Sequence, residues 1–205
     1  MRHPFVLFLY AAAMGILEAI VVLYLRRLYY PGGFGFPLVP FDPQILRAEL
    51  IREGMTLIML LAVAWMSAEG AWGRLMAFLL AFGTWDLAYY AGLKAFLDWP
   101  AGLLTPDILF LIPRVWVGPV LAPVLVSLSW VAAGFLLHRA RYGDLGMGWK
   151  SWGLCALGCG LILTSFLRPL GSPGTPGFSW LIFGAGYVAG GLALSRAAWR
   201  ARRLA

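Results

Sequence analysis

The sequence predicts an all-α integral membrane protein with about six transmembrane helices. Hydrophobic residues make up 61% of the 205 residues and charged residues only 12%, whereas a soluble domain carries about 25% charged residues because its surface faces water. Apolar runs close to the length of about 20 residues that crosses a bilayer alternate with charged or Gly/Pro-rich segments. One polytopic domain over residues 1–205 follows. Its predicted spans are 4–25, 44–67, 72–97, 117–137, 149–167 and 179–199.

The basic residues indicate helix anchoring rather than nucleic-acid binding. The formal net charge is +7, but Lys and Arg stand mainly at the ends of apolar runs, which is typical of membrane anchors. No basic strip alternates with aromatic residues, as a nucleic-acid-binding surface requires. Cys155 and Cys159 lie in one apolar run with no histidine nearby, which predicts packing residues and no metal site. We expect membrane lipid as a partner, and neither nucleic acid nor a cofactor.

The first span, 4–25, holds one acidic residue, Glu18, and is followed by Arg26 and Arg27. This run of about 22 residues covers about 33 Å. It is too long for the apolar region of a cleaved signal peptide and lacks a small-residue cleavage site. Residues 29–43 follow, and their prolines and glycines forbid a regular helix. Because this segment is rich in aromatic residues, we expect it to fold back at the membrane surface, and we call it the aromatic lip.

The second span, 44–67, has a charged first half. Glu49 and Glu53 share a helix face at i,i+4 spacing, where an acidic pair could hold a cation. Arg47 and Arg52 are interleaved with them. The alternation favours a helix end that neutralises its own charge.

The third span, 72–97, carries Asp86 near its middle, with Tyr90 and Lys94 at the next two turns. Each ionisable group inside an apolar span costs about 2.5–3.5 kcal/mol on insertion scales, so it needs a partner or a task. Side chains on a helix lean toward its N-terminus. The spacing therefore predicts a polar ladder on one face, acting either as a structural network or as a proton relay or ligand pocket.

The segment from 98 to 123 is apolar but interrupted by prolines. Thr105 and Pro106 have the pattern of a helix N-cap and first helical residue. The pattern predicts a short half-helix over about 106–113, re-entrant or interfacial, that contains Asp107 and is followed by Arg114. Irregular backbone at membrane depth is tolerated only where it is buried in protein or lines a cavity.

The last of the three remaining spans carries a glycine packing motif. Gly186 and Gly190 in the last span have GxxxG spacing for close helix contact.

An even number of spans places both termini on one side, together with the basic loop near 139–150 and the arginine-rich tail. The positive-inside rule makes that side the cytoplasm, so we expect an inner-membrane protein with both termini cytoplasmic. The acids and the Gly/Pro-rich loops then lie mostly in the outward half.

The sequence contains no HExxH, GxSxG or Walker A motif, so it assigns no catalytic residue and leaves open whether the protein is an enzyme. We expect the buried acids and the proline-rich stretch to converge in one outward-facing polar pocket. The candidate pocket or proton-relay residues are Glu18, Glu53, Asp86, Tyr90, Lys94, Asp107 and Arg114.

Three functions fit this pattern. The favoured one is a binding or accessory subunit of a larger membrane assembly, or a holder of a lipid or quinone-like amphiphile, because apolar walls with a few convergent polar groups form such pockets. The second is a membrane-embedded enzyme acting on a lipid-linked or phosphate-bearing substrate. The third is a small proton-coupled carrier.

Overall fold

The computed structural model describes residues 1, 3–137, 149–167 and 177–203. This part of the chain is mostly helical, as the sequence predicts, and its order is α1–α2–α3–β1–β2–α4–α5–α6. The helices are α1 (Pro4–Tyr29), α2 (Pro43–Ser67), α3 (Gly70–Leu97), α4 (Leu121–Leu137), α5 (Trp149–Phe166) and α6 (Trp180–Arg203). The strands are β1 (Pro106–Phe110) and β2 (Trp116–Pro119).

Two of the described helices, α1 and α2, are long and apolar enough to cross a membrane by length and composition. A third, α4, is a shorter apolar helix. The predicted fourth and fifth spans end near residues 137 and 167, and the basic loop that follows the fourth lies largely outside the described residues. The six-span topology remains a prediction.

The half-helix predicted over 106–113 is wrong. Residues 106–110 pair antiparallel with residues 116–119, and Asp107 stands opposite Gly118. Thr105 does not cap a helix, because its hydroxyl accepts a hydrogen bond from the Gly102 amide at 3.1 Å. The β-branched and aromatic residues after Asp107 favour an extended strand, and Pro106 fits at a strand start, where its missing N–H costs no ladder bond. Since β2 occupies 116–119, α4 begins at Leu121 instead of 117.

Local capping explains where α2 begins and where α3 ends. Asp42 caps α2 by accepting hydrogen bonds from the amides of Gln44 at 2.8 Å and Ile45 at 3.4 Å. Asp98 ends α3 in the left-handed conformation, with φ 49°, which Asp and Asn tolerate better than other non-glycine residues.

The packing centres on α3. It lies along α1 and α4 and also contacts α2, while α5 and α6 pack mainly on each other. Two glycine contacts bring backbones together. A Cβ on Gly83 would lie 2.6 Å from the Ser127 carbonyl oxygen of α4, and one on Gly158 of α5 would lie 2.8 Å from the Gly186 carbonyl oxygen of α6. The close helix contact predicted at Gly186 is therefore present.

Candidate ligand-binding cavity

A cavity of about 700 Å³ runs through the bundle, with lining residues from all six helices and both strands. The α3 residues along its wall extend from Trp72 to Tyr90, which is about 27 Å at the helical rise of 1.5 Å per residue. Its two ends differ in chemistry. The charged end is lined by Glu18, Arg26, Glu49, Arg52, Glu53, Asp86 and Asp107.

Arg26 and Asp107 form a buried ion pair at the charged end. Nη2 of Arg26 lies 3.0 Å from Oδ1 of Asp107, and the two side chains are 9% and 2% exposed. The Tyr90 hydroxyl donates a 3.4 Å hydrogen bond to Oδ2 of the same carboxylate. Burial raises the pKa of Asp107 to about 6, although the Arg26 charge and the Tyr90 hydrogen bond act in the opposite direction. This carboxyl therefore changes its charge near neutral pH.

One ring of the aromatic lip, Phe34, and the ring of Trp99 pack against this ion pair. The Arg26 guanidinium carbon lies 4.3 Å from the Phe34 ring centroid and 3.7 Å from that of Trp99, distances at which cation–π attraction operates. The Tyr30 hydroxyl accepts a 2.8 Å hydrogen bond from the Val39 amide and holds the lip in a folded loop. These aromatic rings therefore shield the Arg26 guanidinium from water.

Arg52 forms ion pairs with two further carboxylates at this end of the cavity. Its Nε and Nη2 both reach Oε2 of Glu49, at 2.8 and 2.7 Å. Its Nη1 contacts the Glu18 carboxylate across from α1. The Thr56 hydroxyl adds a 3.4 Å hydrogen bond to Glu18. One guanidinium therefore serves two carboxylates and ties α1 to α2.

Glu53 and Asp86 are held by hydrogen bonds, and the charge of Arg52 also acts on Glu53. Glu53 accepts the Leu111 amide at 2.9 and 3.0 Å, which fixes the turn after β1 to α2. Asp86 accepts a 2.7 Å hydrogen bond from the Ser127 hydroxyl of α4. Among the described residues, neither carboxylate forms an ion pair with Lys or Arg.

Three buried N–H donors along the cavity wall lack a hydrogen-bond partner within the described structure. They are Arg26 Nη1, Trp85 Nε1 and Trp116 Nε1. A buried donor without an acceptor loses the hydrogen bonds it makes in water, at a cost of about 1–3 kcal/mol. These donors can bind acceptor atoms of a molecule in the cavity.

The other end of the cavity is apolar. It is walled by side chains of α3, α4, α5 and α6, with Trp72, Leu79 and Phe82 on the α3 side. Cys155 and Cys159 of α5 lie on the opposite wall, the first half-buried and the second exposed.

Five of the predicted pocket residues meet in this cavity: Glu18, Glu53, Asp86, Tyr90 and Asp107. The structure keeps two others away. Lys94 is exposed and lies 2.6 Å from the Asp98 carboxylate, with a further hydrogen bond to the Pro100 carbonyl at 3.3 Å. Arg114 is exposed in the turn between β1 and β2. The predicted polar ladder therefore ends at Tyr90, because Lys94 finds an acid one turn further toward water.

Sequence reasoning missed Arg26, Glu49, Arg52 and Tyr89 as pocket residues. Arg26 reads as an anchor because it follows an apolar run, and Arg52 reads as part of a self-neutralised helix end. No group of three His, Cys, Asp or Glu residues in the described chain could hold a metal ion. No protein-family model, curated protein or solved structure matches this chain.

Proposed function

We propose that this protein is a six-span inner-membrane protein that holds a lipid or quinone-like amphiphile, with its headgroup at the charged end of the cavity and its tail at the apolar end. The observation that carries the proposal is the division of one cavity into these two ends. Amphiphiles have the same division, and pockets that bury small ligands combine apolar walls with a few placed polar groups.

The outer surface of the bundle supports a membrane location. Large apolar side chains face outward on several helices, including Met66 of α2 at 81% exposure and Leu181 of α6 at 84%. Continuous apolar surface is rare on soluble monomers, and lipid is its natural solvent. The same surface would serve an accessory subunit that docks into a larger membrane assembly.

The predicted orientation gives the cavity a direction. The charged end lies at the C-terminal half of α1 and the N-terminal half of α2, where Arg26 and Glu49 stand. With both termini in the cytoplasm, this end faces outward. The whole cavity then runs from this end toward the inner leaflet over about 27 Å, close to the hydrocarbon thickness of about 30 Å.

A membrane-embedded enzyme acting on a lipid-linked substrate is the second candidate, and Asp107 is the residue that favours it. Its carboxyl lines the cavity, and burial brings its pKa to about 6, close to the range in which a general acid or base works at neutral pH. Turnover of a lipid-linked substrate that is lost in Asp107→Asn would favour this candidate over a holder.

The two native cysteines offer a direct test, since the sequence contains only Cys155 and Cys159 and both line the apolar end. The protein is purified in digitonin, a bulky detergent, and alkylated with an apolar maleimide before and after addition of single-chain amphiphiles. We expect bound amphiphile to slow alkylation of Cys155, and native mass spectrometry to find a retained lipid. Unchanged alkylation with every amphiphile, and no retained lipid, would contradict the proposal.

A matched pair of glycine variants sharpens this test. Gly190 lines the cavity and Gly184 does not, yet a Cβ at either position of α6 meets no atom within 4 Å. Gly190→Leu should occupy tail space and lower lipid retention, whereas Gly184→Leu should leave retention unchanged. Equal retention in both variants would place the lipid elsewhere.

A further inference from the structure

We infer that the charged end of the cavity takes a zwitterionic headgroup, with an ammonium group at Asp86 and Glu53 and an acceptor group of the phosphate type at Arg26. The inference rests on the proposed amphiphile-binding function and specifies the headgroup that the same cavity selects.

Two arginines face five carboxylates at this end of the cavity. Arg52 pairs with Glu18 and Glu49 and its charge also acts on Glu53, and Arg26 pairs with Asp107. Glu53 and Asp86 keep only neutral hydrogen-bond donors, the Leu111 amide and the Ser127 hydroxyl. A buried carboxylate is costly unless a cation or a proton compensates it. A ligand ammonium group supplies the compensating positive charge and also up to three N–H donors.

Aromatic rings line the same cavity as the two carboxylates. The Trp85 and Phe110 ring centroids lie 6.2 Å apart, and both residues line the cavity with Tyr89. A cavity that combines carboxylates with aromatic rings suits an organic ammonium group, because cation–π attraction adds to the ionic contact.

Arg26 supplies the second half of the site. Its side chain is 9% exposed and Nη2 is engaged by Asp107, but Nη1 has no partner within the described structure. The planar guanidinium presents several donors that match phosphate or carboxylate oxygens. The partnerless Trp85 Nε1 is a further donor on the same cavity.

Simpler headgroups satisfy only one side of this site. A plain phosphate would meet Arg26 but would add negative charge beside Glu53 and Asp86. A plain amine would compensate those carboxylates but would leave Arg26 Nη1 without an acceptor. A neutral sugar would compensate neither charge. A headgroup that joins an ammonium group to a phosphate meets both requirements.

The test compares four amphiphiles with one tail: dodecylphosphoethanolamine, dodecyl phosphate, dodecylamine and dodecyl maltoside. Each is titrated below its micellar concentration against the digitonin-purified protein, and the readout is protection of Cys155 from alkylation. We expect the phosphoethanolamine to give half-protection at a concentration about tenfold lower than the other three, which corresponds to about 1.4 kcal/mol. Protection by dodecyl phosphate, dodecylamine or the maltoside at an equal or lower concentration would overturn the inference.

Variants test the assigned atoms. Asp86→Asn keeps an oxygen for Ser127 but removes the charge, so the preference for phosphoethanolamine over phosphate should fall about tenfold. Asp98→Asn is the matched control, because Asp98 lies outside the cavity lining and its left-handed φ of 49° suits Asn. An unchanged preference in Asp86→Asn would also overturn the inference. If amphiphiles protect Cys155 without headgroup preference, only this inference fails; if none protects it, the proposed function fails as well.

Discussion

Arg26 combines three contacts that its sequence position does not reveal. It pairs with Asp107, stacks against Phe34 and Trp99, and lines the charged end of the cavity. The sequence marks only an arginine after an apolar run, which is the ordinary sign of a membrane anchor. Asp86 was predictable as a site residue, because a carboxylate inside an apolar helix is costly unless it has a partner or a function. Arg26 was not, because its partner lies 81 residues away.

Removing the Arg26 charge should destabilise the protein. Arg26→Met leaves the buried Asp107 carboxylate without its cation, and breaking a buried ion pair in this way costs about 3–5 kcal/mol. Thermal unfolding in digitonin, followed by the exposure of Cys155 to a fluorogenic maleimide, measures the effect. Lys94→Met is the control, because Lys94 and Asp98 form an exposed pair. A melting temperature lowered equally by both substitutions would contradict this assignment.

The stability of the protein should depend on the protonation of Asp107. Burial raises its pKa from 3.8 to about 6, with Arg26 and the Tyr90 hydroxyl as its immediate neighbours and Asp86 nearby. Between these pH values the folded protein holds a proton that the unfolded chain has released. The Asp107 contribution to the free energy of unfolding therefore decreases as pH rises from about 4 to about 6.

The pH dependence is measured as the difference in melting temperature between wild type and Asp107→Asn across this range. The difference should change between pH 4 and 6 and level off above it. In Asp98→Asn the melting temperature should depend on pH as it does in wild type. The reason is that Lys94 lowers the pKa of Asp98 and moves its titration below this pH range. A wild-type slope in Asp107→Asn would show that other groups produce it.

At the scale of elements, the helices were predictable and the hairpin was not. Periodic apolar runs broken by prolines and charges mark the helices within a few residues of their observed ends. The β1–β2 pair depends on residues 106–110 meeting residues 116–119, and no local signal records that pairing. Thr105-Pro106-Asp107 has the local pattern of a helix start, and strand pairing overrides it.

The contact between α3 and α4 should be intolerant of a single methyl group. In Gly83→Ala the new Cβ would lie 2.6 Å from the Ser127 carbonyl oxygen and 3.0 Å from Val131. The helices must then separate next to the Asp86–Ser127 hydrogen bond, so both the melting temperature and lipid retention should fall.

Gly54→Ala provides the comparison for this substitution. Gly54 also lies in a helix, but a Cβ there meets no atom within 4 Å. Alanine is favoured over glycine in helices by about 1 kcal/mol, so this variant should be neutral or stabilising. The packing assignment is wrong if Gly83→Ala behaves in the same way.

At the scale of the whole molecule, the long apolar runs predicted the helical class, which is confirmed. The scarcity of charged residues predicts lipid as the surrounding solvent, and this stays a prediction. Convergence of Glu18, Asp86 and Asp107 in one cavity was expected from the cost of burying each acid separately. The long apolar extension of that cavity toward Trp72 could not be read from sequence, because it depends on how α5 and α6 stand beside α3.

The predicted topology can be measured by site-specific labelling. In a variant with Cys155 and Cys159 replaced by serine, Val39→Cys in the exposed part of the aromatic lip should react with a membrane-impermeant maleimide added to intact cells. A fluorescent protein that matures only in the cytoplasm, fused after Ala205, should be bright. A silent fusion together with an unlabelled lip would indicate the opposite orientation.

The glycine contact between α5 and α6 has a consequence for how a bound molecule exchanges. Because Gly158 and Gly186 bring these helices to backbone distance, we expect the pair to shift as one unit. The pair contacts the rest of the described structure mainly through α4 and β2, so we expect a bound molecule to enter and leave where the pair meets α4. A change at this contact would alter the residence time of a bound molecule.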